Sequence, residues 1–263
     1  MKKAEADLFS VWNGVFQSFE EAGGDSDAFD TERWIQTQQL LVREQLRRLS
    51  THQLMAQDYP LSVMVGMLLP QHKTLSILDF GGGMGQLYLT LLSALPEAVE
   101  KIRYHVVDGK ASIDNRPHDL NQFSHLFFYD NTNEIDESKI EVIHIGSTLQ
   151  YIENWQDLLN FLNKRFKPNY YVFSDTMVGE VPNFVSHQQY YDKKIPVQFL
   201  NEQLFMQFML QHLKLRLLYK TKYQGTILGQ NDIFPNQALP NQYQIDRTYH
   251  FIFSASEEAN QCE

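Results

Sequence analysis

A glycine-rich segment near residue 80 is the first place in the sequence where residue types and spacing could do chemistry. An apolar run at 76–80 carries the acid Asp79, and glycines follow at positions 81, 82, 83 and 85 before a helix-like stretch begins at Gln86. Glycine lets the backbone approach a ligand closely, and the first N–H groups of a helix have no partner inside it. The segment therefore predicts a strand, a ligand-binding turn and a helix, in that order.

The glycine spacing separates three classes of ligand. A phosphate-binding loop needs Lys and then Ser or Thr after its last glycine, and neither follows Gly85. A dinucleotide fingerprint needs a third glycine where this sequence has Gln86 or Tyr88. The pattern Asp-x-Gly-x-Gly-x-Gly matches from Asp79 onward and suits S-adenosylmethionine (SAM), because an acid there favours its cationic amino acid end and would repel a diphosphate. The remaining alternative is a glycine-rich turn without a ligand.

A second acid stands at the end of the next predicted strand. Residues 104–108 read Tyr-His-Val-Val-Asp, which places Asp108 at the strand tip. In α/β nucleotide sites a carboxylate at this point accepts hydrogen bonds from the ribose hydroxyls. We therefore expect Asp108 to bind ribose, a role that does not separate SAM from NAD.

Composition and charge limit the function classes. The chain has 263 residues, a net charge of −10 and one cysteine, Cys262. A single cysteine forms no internal disulfide and no cysteine-based zinc site, which fits a reducing, cytoplasmic setting. The negative charge argues against nucleic acid as a partner, and no apolar stretch approaches the ~18 residues of a membrane span. No metal site is predicted.

The order of elements predicts the fold class. Strand-like apolar runs occur at 75–80, 102–107, 126–129, 140–145, 170–173, 215–219 and 249–253, and predicted helices at 85–94, 154–166 and 201–212. This alternation predicts an α/β three-layer sandwich with a seven-stranded, mainly parallel sheet. The last two runs have no helix between them, so the last strand is expected to be antiparallel. Residues 1–70 read as a helical N-terminal extension, 71–256 as the SAM-binding domain and 257–263 as a tail.

These motifs resemble those of the class I, Rossmann-like SAM-dependent methyltransferases. The resemblance rests on residues 78–85, 107–108 and 143–152 and on the element order from 75 to 255. A looser similarity at 13–22, at 147–151 and around Gln188, Pro196 and Phe199 points to a poorly characterised bacterial branch associated with surface polysaccharide synthesis. The leading hypothesis, motivated by the glycine loop and Asp108, is methyl transfer to a small-molecule or saccharide acceptor, at oxygen. The N-terminal segment would cap the site or form a homodimer contact.

The resemblance also implies roles for individual residues. Those that would hold the methionine end of SAM are Asp79, Phe80, Gly81, Gly82, Gly83 and Gly85. Asp108 would bind the ribose, and Tyr129 and Asp130 would lie near the adenine. Those that would line the pocket below the sulfonium are Gly146, Ser147 and Gln150. The end of the fifth strand, at 173–176, lacks the arginine-containing turn expected in this branch, so no acceptor role is carried over there.

Methyl transfer requires a positioned acceptor and, for a hydroxyl, a group that removes its proton. His187 falls in a loop-like aromatic segment at 184–191 that would close over the site, and Asp175 falls at the tip of the fifth strand. Both are candidate catalytic residues; the alternatives are an exposed histidine and a turn acid. His144 lies inside the fourth strand and is expected to face the sheet packing. The rival functions are an NAD-dependent oxidoreductase and a non-catalytic partner that keeps the fold.

Overall fold

The computed structural model describes residues 11–55, 60–190, 192–223 and 234–256. In chain order the strands are β1 (Trp12–Phe16), β2 (Leu75–Phe80), β3 (Ile102–Val107), β4 (Leu126–Tyr129), β5 (Val142–Gly146), β6 (Tyr170–Thr176), β7 (Val178–Gly179), β8 (Phe184–Tyr190), β9 (Lys193–Asn201), β10 (Leu215–Lys222) and β11 (Tyr249–Ala255). The α-helices are α1 (Phe19–Ala22), α2 (Glu32–Ser50), α3 (Pro60–Leu68), α4 (Gln86–Ala94), α5 (Lys110–Asp114), α6 (Trp155–Phe166) and α7 (Glu202–Gln207).

The central sheet has seven strands in the order β10-β11-β6-β5-β2-β3-β4. Strands β2 to β6 run parallel to one another, whereas β11 is antiparallel to both β6 and β10. The predicted fold class, with its antiparallel last strand, is therefore confirmed. The first five residues of β2 are buried, as expected for a strand covered on both faces.

Apolar clusters cover the two faces of this sheet. Successive side chains of a strand point to opposite faces, and the neighbours Ile77 and Leu78 accordingly belong to different clusters. The Ile77 cluster packs against α2, α3 and α4, and the Leu78 cluster packs against α6 and α7. The three layers hold the carboxyl ends of the parallel strands at one edge, where ligands bind in such sheets.

A second, four-stranded sheet lies in the order β1-β8-β9-β7. Strand β8 pairs antiparallel with β1 on one side and with β9 on the other. The prediction that 184–191 form a loop is wrong for its described part, because Phe184–Tyr190 is the strand β8. The polar run Ser186–Gln189 has no strand-like apolar alternation, and its backbone is satisfied only by partners distant in sequence. The N-terminal segment likewise contains a strand, β1, besides its helices.

Within the described ranges, no helix combines the length and apolar character that a membrane span requires.

Candidate functional site

A cavity of about 1000 Å³ opens between the carboxyl ends of the central strands and the second sheet. The glycine loop, Asp108 and the turn after β4 line one part of it, and residues of the α1–α2 region, β8 and β9 line the other. The cavity therefore joins the predicted SAM loop to parts of the chain that the sequence did not connect with it.

The glycine loop turns sharply because three of its residues adopt left-handed backbone angles. Gly81, Gly83 and Gly85 have φ values of 73°, 59° and 83°, which L-residues with a side chain rarely adopt. A Cβ on Gly81 would also overlap the side chain of Thr148. The loop needs glycine for its backbone angles and, at Gly81, for its close approach to the turn after β5.

Asp79 is held by two neighbouring strands. Its carboxylate accepts a hydrogen bond from the Tyr104 hydroxyl at 2.8 Å, and Nδ1 of His144 lies 2.7 Å from its Oδ1. Nε2 of His144 lies 2.9 Å from Oγ of Ser174. Asp79, His144 and Ser174 are only 1%, 2% and 1% exposed, yet all three line the cavity. They form a continuous chain of hydrogen bonds at its floor.

Sequence reasoning missed the part that His144 plays. The residue is buried in β5 as expected, but it faces Asp79 across the sheet because the two residues are register partners. A buried polar residue must find a partner, and a histidine among apolar strand residues was the available signal. Gly146 makes room for it, since a Cβ there would come 2.6 Å from Cε1 of the His144 ring.

Asp108 is bound to the glycine loop. Its carboxylate accepts hydrogen bonds from the backbone N–H groups of Gly83 and Gly109, each at 2.8 Å. Burial raises the pKa of this carboxyl above its usual value, and these backbone donors oppose the shift. Two carboxylate oxygens offer about four acceptor positions, so Asp108 retains acceptor capacity for ligand hydroxyls.

Most of the residues predicted to bind the cofactor lie around this cavity. Those among its lining residues are Asp79, Phe80, Gly81, Gly82, Gly83, Asp108, Asp130, Gly146 and Ser147. Gly85, Tyr129 and Gln150 are not among them. Gly85 is the N-cap of α4, the Tyr129 hydroxyl lies 3.2 Å from Nδ1 of His105, and Gln150 is buried. The cofactor roles of all twelve residues stay predictions.

The two candidate catalytic residues both make hydrogen-bond contacts within the fold. Nε2 of His187 lies 2.8 Å from the carbonyl oxygen of Ala22, and its ring packs on Phe16 with centroids 4.7 Å apart. Asp175 accepts a hydrogen bond from Ser147 at 2.6 Å and another from Thr248. Neither residue is among those lining the cavity. His187 ties β8 to α1, and Asp175 ties the turn after β5 to Thr248, the residue before β11. Their catalytic roles stay predictions.

Four aromatic side chains line one part of the cavity. Phe29 contacts Trp34 and Tyr151 with ring centroids 5.4 and 5.1 Å apart, and Trp34 contacts Tyr190 at 5.6 Å. We call these four residues the aromatic wall. Burial raises the pKa of the Tyr151 phenol above its usual range, so the phenol keeps its proton near neutral pH.

The charged side chains that line the cavity are acidic. Its acidic lining residues are Asp25, Asp30, Asp79, Asp108 and Asp130, and no Lys or Arg is among the lining residues that the structure describes. The described ranges contain no group of three or more His, Cys, Asp or Glu side chains arranged to hold a metal ion.

Solved structures share this architecture. The Burkholderia thailandensis 1,6-didemethyltoxoflavin-N1-methyltransferase, with bound 1,6-didemethyltoxoflavin and S-adenosylhomocysteine, has a TM-score of 0.50 at 12% identity, covering 88% of this chain and 85% of that one. A chain of the Haloferax volcanii complex containing the Trm112 methyltransferase activator has a TM-score of 0.50 at 11% identity, covering 90% and 100%. A SAM-dependent methyltransferase from Aquifex aeolicus has a TM-score of 0.44 at 11% identity, covering 74% and 89%.

No family model matches the sequence, and a search of curated proteins found no match. The common feature is thus the fold, which is the α/β fold of the class I SAM-dependent methyltransferases.

Proposed function

We propose that this chain is a SAM-dependent methyltransferase that acts on a small-molecule acceptor. The observation that carries the proposal is that the Asp79 glycine loop and Asp108 open into one cavity of about 1000 Å³. That volume is at the upper end of the range for small-molecule and cofactor sites, roughly 300–1,000 Å³, and leaves room for an acceptor beside the cofactor.

In this proposal the chain supplies binding and orientation. Gly81 and Gly83 let the backbone approach the methionine end, while Tyr104 and His144 hold Asp79 in place below it. Asp108 would accept hydrogen bonds from the ribose hydroxyls. SAM, when bound, supplies an activated methyl group and its own leaving group. The protein must then align the acceptor for in-line displacement, a contribution that comes from positioning.

The rival functions have less support. Dinucleotide-binding domains have a sheet of six parallel strands, whereas here the antiparallel β11 lies between β6 and β10. The missing third glycine of the dinucleotide fingerprint adds to this. A non-catalytic partner protein needs no room for an acceptor, whereas the aromatic wall lines such a space.

Several finer predictions from the sequence belong to this proposal. They are transfer to oxygen, a saccharide as one acceptor type, the bacterial polysaccharide-associated branch, a cytoplasmic location and a homodimer. Among the described lining residues the histidine is His144, and both of its ring nitrogens have contacts. Transfer to oxygen would therefore depend on an acceptor hydroxyl that loses its proton to a cavity carboxylate or to water.

The proposal is tested by binding first and transfer second. At a SAM concentration of about 100 times Kd, bound ligand should add ~2.7 kcal/mol to the unfolding free energy, which a thermal denaturation series would detect. NAD should give no shift. A shift with NAD and none with millimolar SAM would overturn the proposal. Transfer would then be followed with methyl-labelled SAM and the small-molecule fraction of a cell extract, where a labelled product is expected.

A further inference from the structure

We infer that the aromatic wall binds an acceptor that carries a ring and no negative charge. This inference rests on the proposed function, because it assigns the part of the cavity that SAM would leave free. The four rings come from the loop before α2, from α2 itself, from the turn after β5 and from β8. Distant segments therefore contribute to one continuous surface.

The shape of the wall favours a flat ligand. Its three ring contacts have interplanar angles of 65°, 80° and 65°, so the contacts are edge to face and leave ring faces for a ligand. Ile195 and Pro196 of β9 add apolar surface to the same cavity. Aromatic side chains give large rigid contact areas and stack on planar groups. A ring with an apolar face would use this surface better than an extended flexible chain.

Tyr151 is held in its place within the wall. Its hydroxyl donates to Oε1 of Gln188 at 2.6 Å, which links the turn after β5 to the second sheet. Phe29 packs against the Tyr151 ring, and Trp34 packs against Phe29. The surface is thus preformed, which lowers the entropy cost of binding.

Acidic side chains near the aromatic wall are the reason for expecting an acceptor without negative charge. Asp25 and Asp30 lie at this end of the cavity, and no cationic side chain is among its described lining residues. Lys193 is ion-paired with Asp27 at 2.8 Å and with Asp25 at 3.8 Å, and Lys110 is ion-paired with Asp114 at 2.9 Å and with Asp130 at 3.9 Å. Both lysines therefore already have carboxylate partners. A phosphate or carboxylate on the acceptor would face like charges and would meet no Lys or Arg among the described lining residues. Phosphorylated and nucleotide-linked acceptors are therefore excluded, whereas neutral or cationic rings are accepted.

Two kinds of acceptor share this chemistry. An aromatic ring would stack on Trp34 or Phe29, and a cationic substituent would gain from ring faces and nearby acids. A sugar ring has an apolar face of C–H groups that would pack on the rings. Its hydroxyls would donate hydrogen bonds to Asp25 and Asp30. The shared property is an uncharged or cationic ring, and suitable probes distinguish the two.

Calorimetry first measures the binding of S-adenosylhomocysteine to the full chain. Saturation-transfer NMR then measures the affinity of probe ligands for the chain loaded with S-adenosylhomocysteine. The probes are p-cresol, tyramine, phenyl phosphate, methyl β-glucoside and glucose 6-phosphate. We expect at least one uncharged or cationic ring to bind about tenfold more tightly than its phosphorylated counterpart, a difference of one decade in Kd. The comparison of p-cresol and tyramine with phenyl phosphate tests for an aromatic acceptor. The comparison of methyl β-glucoside with glucose 6-phosphate tests for a saccharide acceptor.

Matched variants locate the binding. Trp34→Leu and Phe29→Leu should each abolish ring binding while retaining S-adenosylhomocysteine, and Tyr219→Leu, which alters a ring 46% exposed on β10, should change neither. Asp30→Asn should reduce the difference in Kd between the neutral and the phosphorylated probes. Asp119→Asn, which alters a residue outside the cavity lining, should leave this difference unchanged.

The outcomes separate the two proposals. Equal or tighter binding of the phosphorylated probes overturns the charge inference. Binding of S-adenosylhomocysteine with no ring probe bound, or ring binding unaffected in both wall variants, overturns the wall as acceptor site and leaves the proposed function standing. Failure to bind S-adenosylhomocysteine at all counts against the proposed function instead.

Discussion

Nδ1 of His144 lies 2.7 Å from Oδ1 of Asp79, and both side chains are almost completely removed from water. The two residues are partners across β2 and β5, so the acid expected to face the methionine end of SAM is oriented by a neighbouring strand. A buried carboxylate needs such donors, because desolvation without them is costly. This pair therefore links the stability of the sheet to the geometry of the site.

Removing the imidazole should destabilise the protein. In His144→Ala, Asp79 keeps its bond from Tyr104 but loses its second donor, and we expect the unfolding free energy to fall by about 3 kcal/mol. SAM affinity should fall as well, because the carboxylate is no longer held. Urea denaturation and calorimetry measure the two effects. Ser174→Ala is the comparison, since it removes the partner of His144 Nε2 but leaves the His144–Asp79 contact in place, and it should cost less, about 1–2 kcal/mol. Equal costs would contradict the importance given to the His144–Asp79 contact.

The glycine loop permits a matched pair of substitutions. Gly81→Ala places a side chain at φ 73° and against Thr148, so we expect it to lower stability by about 2 kcal/mol or more and to abolish SAM binding. Gly109→Ala is the control, because Gly109 also lines the cavity, has φ −55° and has no atom within 4 Å of an added Cβ. Thermal denaturation with and without SAM tests both. If Gly81→Ala kept both its stability and its SAM binding, the loop would not require the close approach of Gly81 to Thr148.

SAM affinity should depend on pH through Asp108. Burial raises the pKa of this carboxyl above 3.8, so it takes up a proton at a higher pH than an ordinary aspartate. The ionised form is the better acceptor for ribose hydroxyls. We therefore expect full affinity above the raised pKa and a progressive loss as the pH falls through it. Calorimetric titrations at a series of pH values would measure the SAM affinity. The Asp108→Asn variant should bind SAM more weakly, and its affinity should not depend on pH in this range. A wild-type affinity that stays constant over that range would contradict the ribose role.

His187 offers a test between catalysis and structure. Because its imidazole contacts the Ala22 carbonyl and packs on Phe16, His187→Ala should cost about 1 kcal/mol of stability. The rate constant of methyl transfer should stay within about twofold, since the ring does not line the cavity. Fixed-time methyl-transfer assays measure the rate constant, and urea denaturation measures the free energy of unfolding. A large fall in rate without loss of stability would support the catalytic role predicted from the sequence.

Much of the central sheet could be predicted because its signals are local. The strands β2, β3 and β4 begin and end where the apolar runs begin and end, and α4 starts one residue after the predicted helix start. Glycine spacing likewise marks the turn after β2. Such features depend on the hydrophobic period and on backbone angles within a few residues, and these are written in neighbouring positions.

The second sheet, and the assembly of four separate rings into one wall, could not be predicted in this way. Strand β8 becomes a strand only through its pairing with β1 and β9, and Phe29, Trp34, Tyr151 and Tyr190 are scattered along the chain until the fold gathers them. His144 acquires its partner through the β2–β5 register. Contacts between distant segments depend on which surfaces the folded chain brings together, and no local period encodes them. The amino-acid order alone therefore predicted the glycine loop, while the tertiary structure decided which residues share its cavity and which charges line that cavity.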